Sequence, residues 1–94
     1  MRKLIMDELR KRIDELDRRI LELIAERFDV VREIAEYKKE HHLPVEDRER
    51  EEVVREKYME FSDRIPKEFL EEFWDTMMYY SKKVQEEVIS GECD

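Results

Sequence analysis

The sequence predicts an all-α fold of three helices, one long, one short and one medium. One Gly and two Pro in 94 residues leave too few turns for a β-sandwich or barrel. Charged residues make up 49% of the chain, and helix-forming Leu, Ile, Glu, Lys and Arg are frequent. Hydrophobic residues still reach 40%, which argues against disorder. A chain of this length supports one core, so we expect a single domain over residues 1–94.

The first helix carries a heptad-like row of apolar residues, separated mostly by alternating steps of four and three. This row, called the apolar seam below, consists of Leu9, Ile13, Leu16, Ile20, Leu23, Val30, Ile34 and Tyr37. No Gly or Pro interrupts it before Pro44, so the helix is predicted over about 7–41, roughly 50 Å long. Because the remaining chain is too short to cover such a helix, the seam predicts a homodimer.

Two proline-containing breaks separate the other helices. Pro44 ends the first helix, and Asp47 is suited to cap a second helix over about 48–61. Pro66 suits the first position of a third helix over about 66–89, followed by a frayed tail at 91–94. The residues expected on buried faces are Val54, Tyr58 and Phe61 in the second helix, and Leu70, Phe73, Trp74, Met77, Val84 and Val88 in the third.

The composition also limits the partners and the cellular compartment that we expect for this protein. The net charge of −8 argues against a nucleic-acid partner, because phosphate contacts require a basic face. No apolar run approaches the roughly 20 residues that span a bilayer, and the N-terminus lacks the apolar core of a signal peptide. The lone Cys93 fits a reducing compartment. We therefore expect a cytoplasmic protein that binds neither nucleic acid nor membrane.

Arg27 occupies the gap in the apolar seam between Leu23 and Val30. A buried cation is costly unless it is paired with an anion. Lys38 follows eleven residues later, about 20° away around the helix and roughly 16 Å along it. Together these side chains could bind a small dianion. Alternatively, Arg27 pairs with a core glutamate and Lys38 extends towards solvent.

Other polar residues lie at helical i, i+4 spacing. Ser81 and Gln85 continue the apolar stripe of the third helix, where they need either backbone or ligand partners. Asp47 and Glu51 share a face of the second helix, with Arg50 beside them. The two carboxylates need no ligand to explain them, because Asp47 can serve as the N-cap and both can interact favourably with the helix dipole.

Arg10 raises the possibility of a site shared between two chains. It precedes Arg27 by 17 residues, about 25 Å along a straight helix, which is too far for both to hold one small ligand. In an antiparallel dimer, Arg10 of one chain can instead approach Arg27 of the other.

Taken together, these segments resemble the all-helical class of chorismate mutases. The similarity spans about 7–88 and is carried by Leu9–Asp17, Ile24–Arg27, Lys38, Pro44–Glu51 and Ser81–Gln85. The resemblance implies an intertwined homodimer of three-helix chains that converts chorismate to prephenate in aromatic amino-acid biosynthesis. This Claisen rearrangement is unimolecular, so neither a cofactor nor a metal is expected.

The resemblance also implies a role for each polar residue. Arg27 and the partner's Arg10 would hold the two substrate carboxylates, while Lys38 and Gln85 would donate to the ether oxygen. The other implied contacts are Ser81 to a carboxylate, Glu51 and Asp47 to the ring hydroxyl, and Arg50 nearby. Two alternatives remain: an isochorismate pyruvate lyase, which shares this fold and much of the basic pocket, and a non-catalytic helical dimerisation module. Glu51 favours the mutase over the lyase.

Overall fold

The computed structural model describes residues 2–91, with side chains described from residue 5 onwards. Within this range the chain forms three helices and no strand: α1 (Arg2–His41), α2 (Arg48–Met59) and α3 (Lys67–Ser90). The prediction of an all-α fold is confirmed. None of these helices is both long enough and apolar enough to cross a membrane. Of the predicted frayed tail, residues 92–94 lie outside the described residues, while Gly91 is the C-cap of α3.

The chain divides between Val30 and Val31 into two units. The first unit is the N-terminal part of α1, which begins at Arg2 rather than at about Asp7 as predicted. The earlier start has a simple cause, because no Gly or Pro precedes Asp7 to interrupt the helix. The prediction of a single domain stays a prediction.

The apolar seam of α1 is exposed along its whole length in the single chain. Its eight side chains are between 44% and 64% exposed. In the second unit α1 instead buries Val31 and Ala35, which are 6% and 0% exposed. From Val31 onwards the helix therefore has one apolar face that the chain itself covers and another, part of the seam, that is exposed.

Helix α1 ends in a Schellman motif, in which two amides beyond the end of the helix donate back to carbonyls of its last turn. The Leu43 amide donates to the Lys38 carbonyl at 2.9 Å, and the His42 amide donates to the Lys39 carbonyl at 3.4 Å. His42 has a φ of 55°, in the left-handed region where this motif usually has a glycine. Pro44 follows, so the chain turns away towards α2 as the sequence predicts.

Helices α2 and α3 pack around a small core of Val54, Met77 and Met78. The partly buried rings of Tyr58, Phe73 and Trp74 pack against this core. At its edge, Arg55 and Glu71 form a paired ionic contact, with the Arg55 Nε 3.3 Å from Glu71 Oε2. This contact joins α2 to α3 and raises the pKa of Arg55.

The connection between α2 and α3 differs from the prediction at two residues. Helix α2 ends at Met59, and Phe61 lies in the following turns, where it is 55% exposed rather than buried. Its amide bonds to the Tyr58 carbonyl at 3.1 Å, so the tighter turn takes the ring off the buried face. Pro66 is the N-cap of α3, with φ −52° and ψ 132°, and Lys67 is the first helical residue.

Candidate functional site

Lys38 lies at the centre of a polar cluster in the second unit. From the last turn of α1, its Nζ donates to Gln85 Oε1 on α3 at 2.8 Å. It also donates to the Val45 carbonyl in the α1–α2 loop at 2.8 Å. These two bonds use two of the three ammonium hydrogens, and the third is directed elsewhere.

The surroundings of Lys38 alter its acidity. Partial burial lowers the pKa of the Lys38 ammonium below 10.5, because desolvation disfavours its charged form. The negative charges of Asp47 and Glu51 oppose this effect without cancelling it. The site therefore contains a cation that is partly stripped of water, a state in which its attraction for an anion is stronger than at the surface.

Gln85 and Ser81 form a buried polar pair on α3, each 7% exposed. The Gln85 Nε2 donates to the Ser81 carbonyl at 3.1 Å, one helical turn earlier. Gln85 Oε1 accepts from Lys38 and one Nε2 hydrogen is bound to Ser81, so the amide has one further N–H group beyond these two bonds. The prediction that these two residues share a buried face is confirmed.

Glu51 contributes a carboxylate from the first turn of α2. Its carbonyl accepts a hydrogen bond from the Trp74 indole Nε1 at 2.9 Å, and its Oε1 accepts one from Lys82 Nζ at 3.3 Å. Its Oε2 is buried and receives no hydrogen bond from any residue that the structure describes. A buried carboxylate oxygen without a donor is costly, so Glu51 is an acceptor available to a ligand hydroxyl.

Asp47 is the N-cap of α2, as predicted. Its Oδ1 accepts a hydrogen bond from the Arg50 amide at 3.1 Å, and both residues are exposed. Asp47 and Lys38 both line an open cavity of about 380 Å³. The other residues lining this cavity are Leu43, Pro44, Glu46, Arg48 and Glu49.

The structure thus brings five of the seven predicted site residues into one unit: Lys38, Asp47, Glu51, Ser81 and Gln85. The two arginines lie in the other unit, where Arg10 is exposed and Arg27 is half-buried. Their roles stay predictions.

Three contacts of the site were not predicted from the sequence. They are the Lys82 bond to Glu51, the Trp74 bond to the Glu51 backbone, and the use of the Val45 carbonyl by Lys38. Trp74 was expected only as a core residue. Lys82 follows directly after Ser81, yet a lysine in a charged helix carries no local signal that it contacts another helix.

The sequence of this chain matches a known protein family over most of its length. The profile of the family described as chorismate mutase type II matches residues 9–86. The chain belongs to the chorismate mutase type II family. All seven predicted site residues lie inside the range that matches the family.

One curated relative with a similar sequence is a chorismate mutase of Methanocaldococcus jannaschii, which is 47% identical to this chain over 47 residues. That match covers 50% of this chain and 48% of the relative, so it spans about half the length of each. The corresponding comparison with solved structures finds no match. The family assignment therefore depends on the match across residues 9–86.

Proposed function

We propose that the protein is a chorismate mutase, an isomerase that rearranges chorismate to prephenate. Family membership supports this reaction class, and the contact between Lys38 and Gln85 is the observation that carries it. In the rearrangement the ether C–O bond breaks while a C–C bond forms, and negative charge grows on the ether oxygen. An enzyme accelerates such a step by folding the substrate into a reactive geometry and stabilising that charge.

Lys38 and Gln85 have the donors that this chemistry requires. The Lys38 Nζ and Gln85 Oε1 are 2.8 Å apart, so the two polar groups are held side by side from α1 and α3. Each retains one N–H group beyond its bonds to Gln85, Val45 and Ser81. We assign these two N–H groups to the ether oxygen, because donors already held in place need little reorganisation as charge develops.

The carboxylates supply a binding site for the ring hydroxyl. Glu51 Oε2, buried and without a donor among the described residues, fits the hydroxyl hydrogen. Asp47 Oδ1 already caps α2, so we assign it a secondary contact at the mouth of the site. Ser81 would assist one substrate carboxylate through its hydroxyl, and Arg50 would lie nearby.

Chorismate also carries two carboxylates, and we assign these to Arg27 and the partner's Arg10. This assignment rests on the family resemblance and on the 17-residue separation, about 25 Å on one helix, which prevents the two from meeting within one chain. The active form is then an intertwined homodimer with two shared sites.

The exposed apolar seam supports the dimer. A row of eight apolar side chains, each at least 44% exposed, is more than a monomeric protein usually leaves in water. The heptad-like spacing of the row matches the surface of another helix, so we take a second copy of this chain as its occupant. Sedimentation equilibrium at low micromolar concentration should give two chains per particle, and a folded, active monomer would contradict the shared site.

The reaction is tested by product identification. The protein is incubated separately with chorismate and with isochorismate, and chorismate loss is followed by ultraviolet absorbance. Formation of prephenate from chorismate supports the mutase. Release of pyruvate from isochorismate would indicate a lyase instead, and no turnover of either compound would indicate a helical dimerisation module.

The proposed reaction also implies a metabolic role, a cellular compartment and a set of partners. Prephenate formation belongs to aromatic amino-acid biosynthesis, and the single cysteine fits a reducing compartment. We therefore propose a cytoplasmic enzyme whose partners are chorismate and a second copy of itself, without a cofactor, nucleic acid or membrane.

A further inference from the structure

Lys82 contacts two glutamates from different parts of the second unit. Its Nζ lies 3.3 Å from Glu51 Oε1 on α2 and 3.8 Å from Glu46 Oε1 in the α1–α2 loop. The Glu46 side chain is 54% exposed, so its pair with Lys82 contributes little. The Glu51 side chain is only 17% exposed, so the shorter contact is also the better shielded one.

The two oxygens of Glu51 are in different situations. Oε1 accepts from Lys82, whereas Oε2 is buried and lacks a donor among the residues that the structure describes. The Trp74 indole holds the Glu51 backbone at 2.9 Å, so the carboxylate is constrained at both ends of its side chain. A carboxylate held through one oxygen presents the other in a defined direction.

We propose that Lys82 is a positioning residue that makes the site selective for a substrate with a ring hydroxyl. It binds Glu51 Oε1 and thereby directs Oε2 at the hydroxyl, while making no contact with the reacting atoms. This inference rests on the proposed function, in which Glu51 receives the ring hydroxyl. A site built to hydrogen-bond a hydroxyl discriminates against a substrate that lacks it, because its own polar group is then left unpaired.

The test compares two substrates in each variant: chorismate, and an analogue in which hydrogen replaces the ring hydroxyl. Lys82→Met removes the ammonium and keeps a similar apolar stem. We expect kcat/KM for chorismate to fall about tenfold or more, as for the loss of a hydrogen bond to a charged group. The value for the analogue should change much less. Because both substrates are measured on the same preparation, any loss of folded protein cancels in the ratio.

Two further variants separate positioning from a general structural effect. Lys82→Arg retains the charge and the reach to Oε1, so it should restore most of the selectivity. Lys83→Met is the matched control: Lys83 is an exposed neighbour on α3 whose Nζ lies 5.8 Å from the centre of the Tyr79 ring. It should leave the ratio between the two substrates unchanged.

A double-mutant cycle gives the decisive readout. If Lys82 acts through Glu51, then adding Lys82→Met to Glu51→Ala should cause no further loss. An additional loss, or an equal fall for both substrates in Lys82→Met alone, would overturn the proposal. Absence of chorismate turnover by the wild-type protein would instead contradict the proposed function, so the two failures are distinguishable.

Discussion

Lys38 Nζ donates a 2.8 Å hydrogen bond to Gln85 Oε1, which lies 47 positions later in the sequence. The bond links the end of α1 to the C-terminal part of α3, and it also determines which way the Gln85 amide faces. Because Oε1 is held by the ammonium, Nε2 lies on the opposite side of the amide, where it donates to the Ser81 carbonyl. The donor roles assigned to Lys38 and Gln85 depend on this orientation.

Lys38→Ala should lower kcat at least a hundredfold. Removing one preorganised donor to a developing oxyanion costs about 10²–10³-fold, and a charged, partly desolvated donor should be at or above that range. Steady-state kinetics with chorismate measures the effect, and circular dichroism checks that the helices remain. Lys39→Ala, at the exposed next position, is the control. A near-normal kcat in Lys38→Ala would exclude Lys38 from the ether oxygen.

Gln85→Glu should move activity towards acidic pH. A carboxyl group donates a hydrogen bond only when it is protonated, whereas the amide donates at any pH. The variant should therefore lose kcat as pH rises through the pKa of the new carboxyl, where the wild type does not. The measurement is kcat against pH for both proteins. Matching profiles would mean that Gln85 does not donate to the reacting oxygen.

The activity of the wild-type protein should decline at a lower alkaline pH than the titration of an ordinary lysine would produce. Burial lowers the pKa of Lys38 below 10.5, so its ammonium loses the proton, and its charge, below that value. In Lys38→Arg the side chain stays charged over this range, so any residual activity should lack the alkaline decline. An identical alkaline limb in both proteins would assign the decline to another group.

The same pKa shift predicts a sign for stability. The folded state binds the Lys38 proton less tightly than the unfolded state, so between the two pKa values the unfolded chain carries more protons. Through this group the free energy of unfolding rises as pH increases across that window and is lowest below it. The measurement is urea denaturation of wild type and Lys38→Met at equal protein concentration over a range of pH. The free energy of unfolding of the wild type should rise relative to that of Lys38→Met as pH increases through the alkaline window. Below that window the difference between the two proteins should stay constant.

Mixing Arg10→Ala with Arg27→Ala should recover activity if each site uses one arginine from each chain. A heterodimer of the two variants contains one site with both arginines and one with neither. Each variant alone should be weakly active, and the mixture should gain activity as subunits exchange. Mixed mass-labelled chains would verify the exchange. Proven exchange without recovery would place both arginines in the same chain's site.

His42→Gly should stabilise the protein. The left-handed backbone at φ 55° costs a non-glycine residue about 1–2 kcal/mol, while glycine loses about 0.5–1 kcal/mol more backbone entropy on folding. The net gain should be roughly 0.5–1 kcal/mol in the free energy of unfolding, measured by urea denaturation.

His41→Gly is the matched control for this change. His41 is the last residue of α1, its ring stacks on Tyr37 with centroids 4.1 Å apart, and its Nδ1 lies 3.0 Å from the Tyr37 carbonyl. The substitution removes these contacts and adds a glycine to a helical position, so it should destabilise. Equal effects of the two variants would contradict the role assigned to the His42 conformation.

Local signals accounted for most of the secondary structure. Pro44 and Pro66 marked both breaks, and Asp47 capped α2 as predicted. The prediction that Phe61 is buried was wrong because it assumed helical spacing, and α2 ends before that residue. A spacing argument holds only while the backbone keeps the helical turn.

The candidate site was predictable to the extent that its residues violate the apolar pattern. Ser81 and Gln85 stand out because uncharged polar groups on an apolar stripe need partners, and Lys38 stands out through its relation to Arg27. Lys82 does not stand out, because charged residues on helices usually face solvent. Its contact with Glu51 exists only because α2 and α3 pack together.

By itself the sequence determined the three helices, their breaks and the exposed heptad-like seam, since these depend on residues a few positions apart. Tertiary structure alone decided that Lys38 would donate to Gln85 and Val45, and that Glu51 would keep one oxygen bound and the other buried without a donor. The physical reason is range: helix propensity and periodicity act over one or two turns, whereas the directions of hydrogen bonds depend on atoms that distant segments bring within about 3 Å.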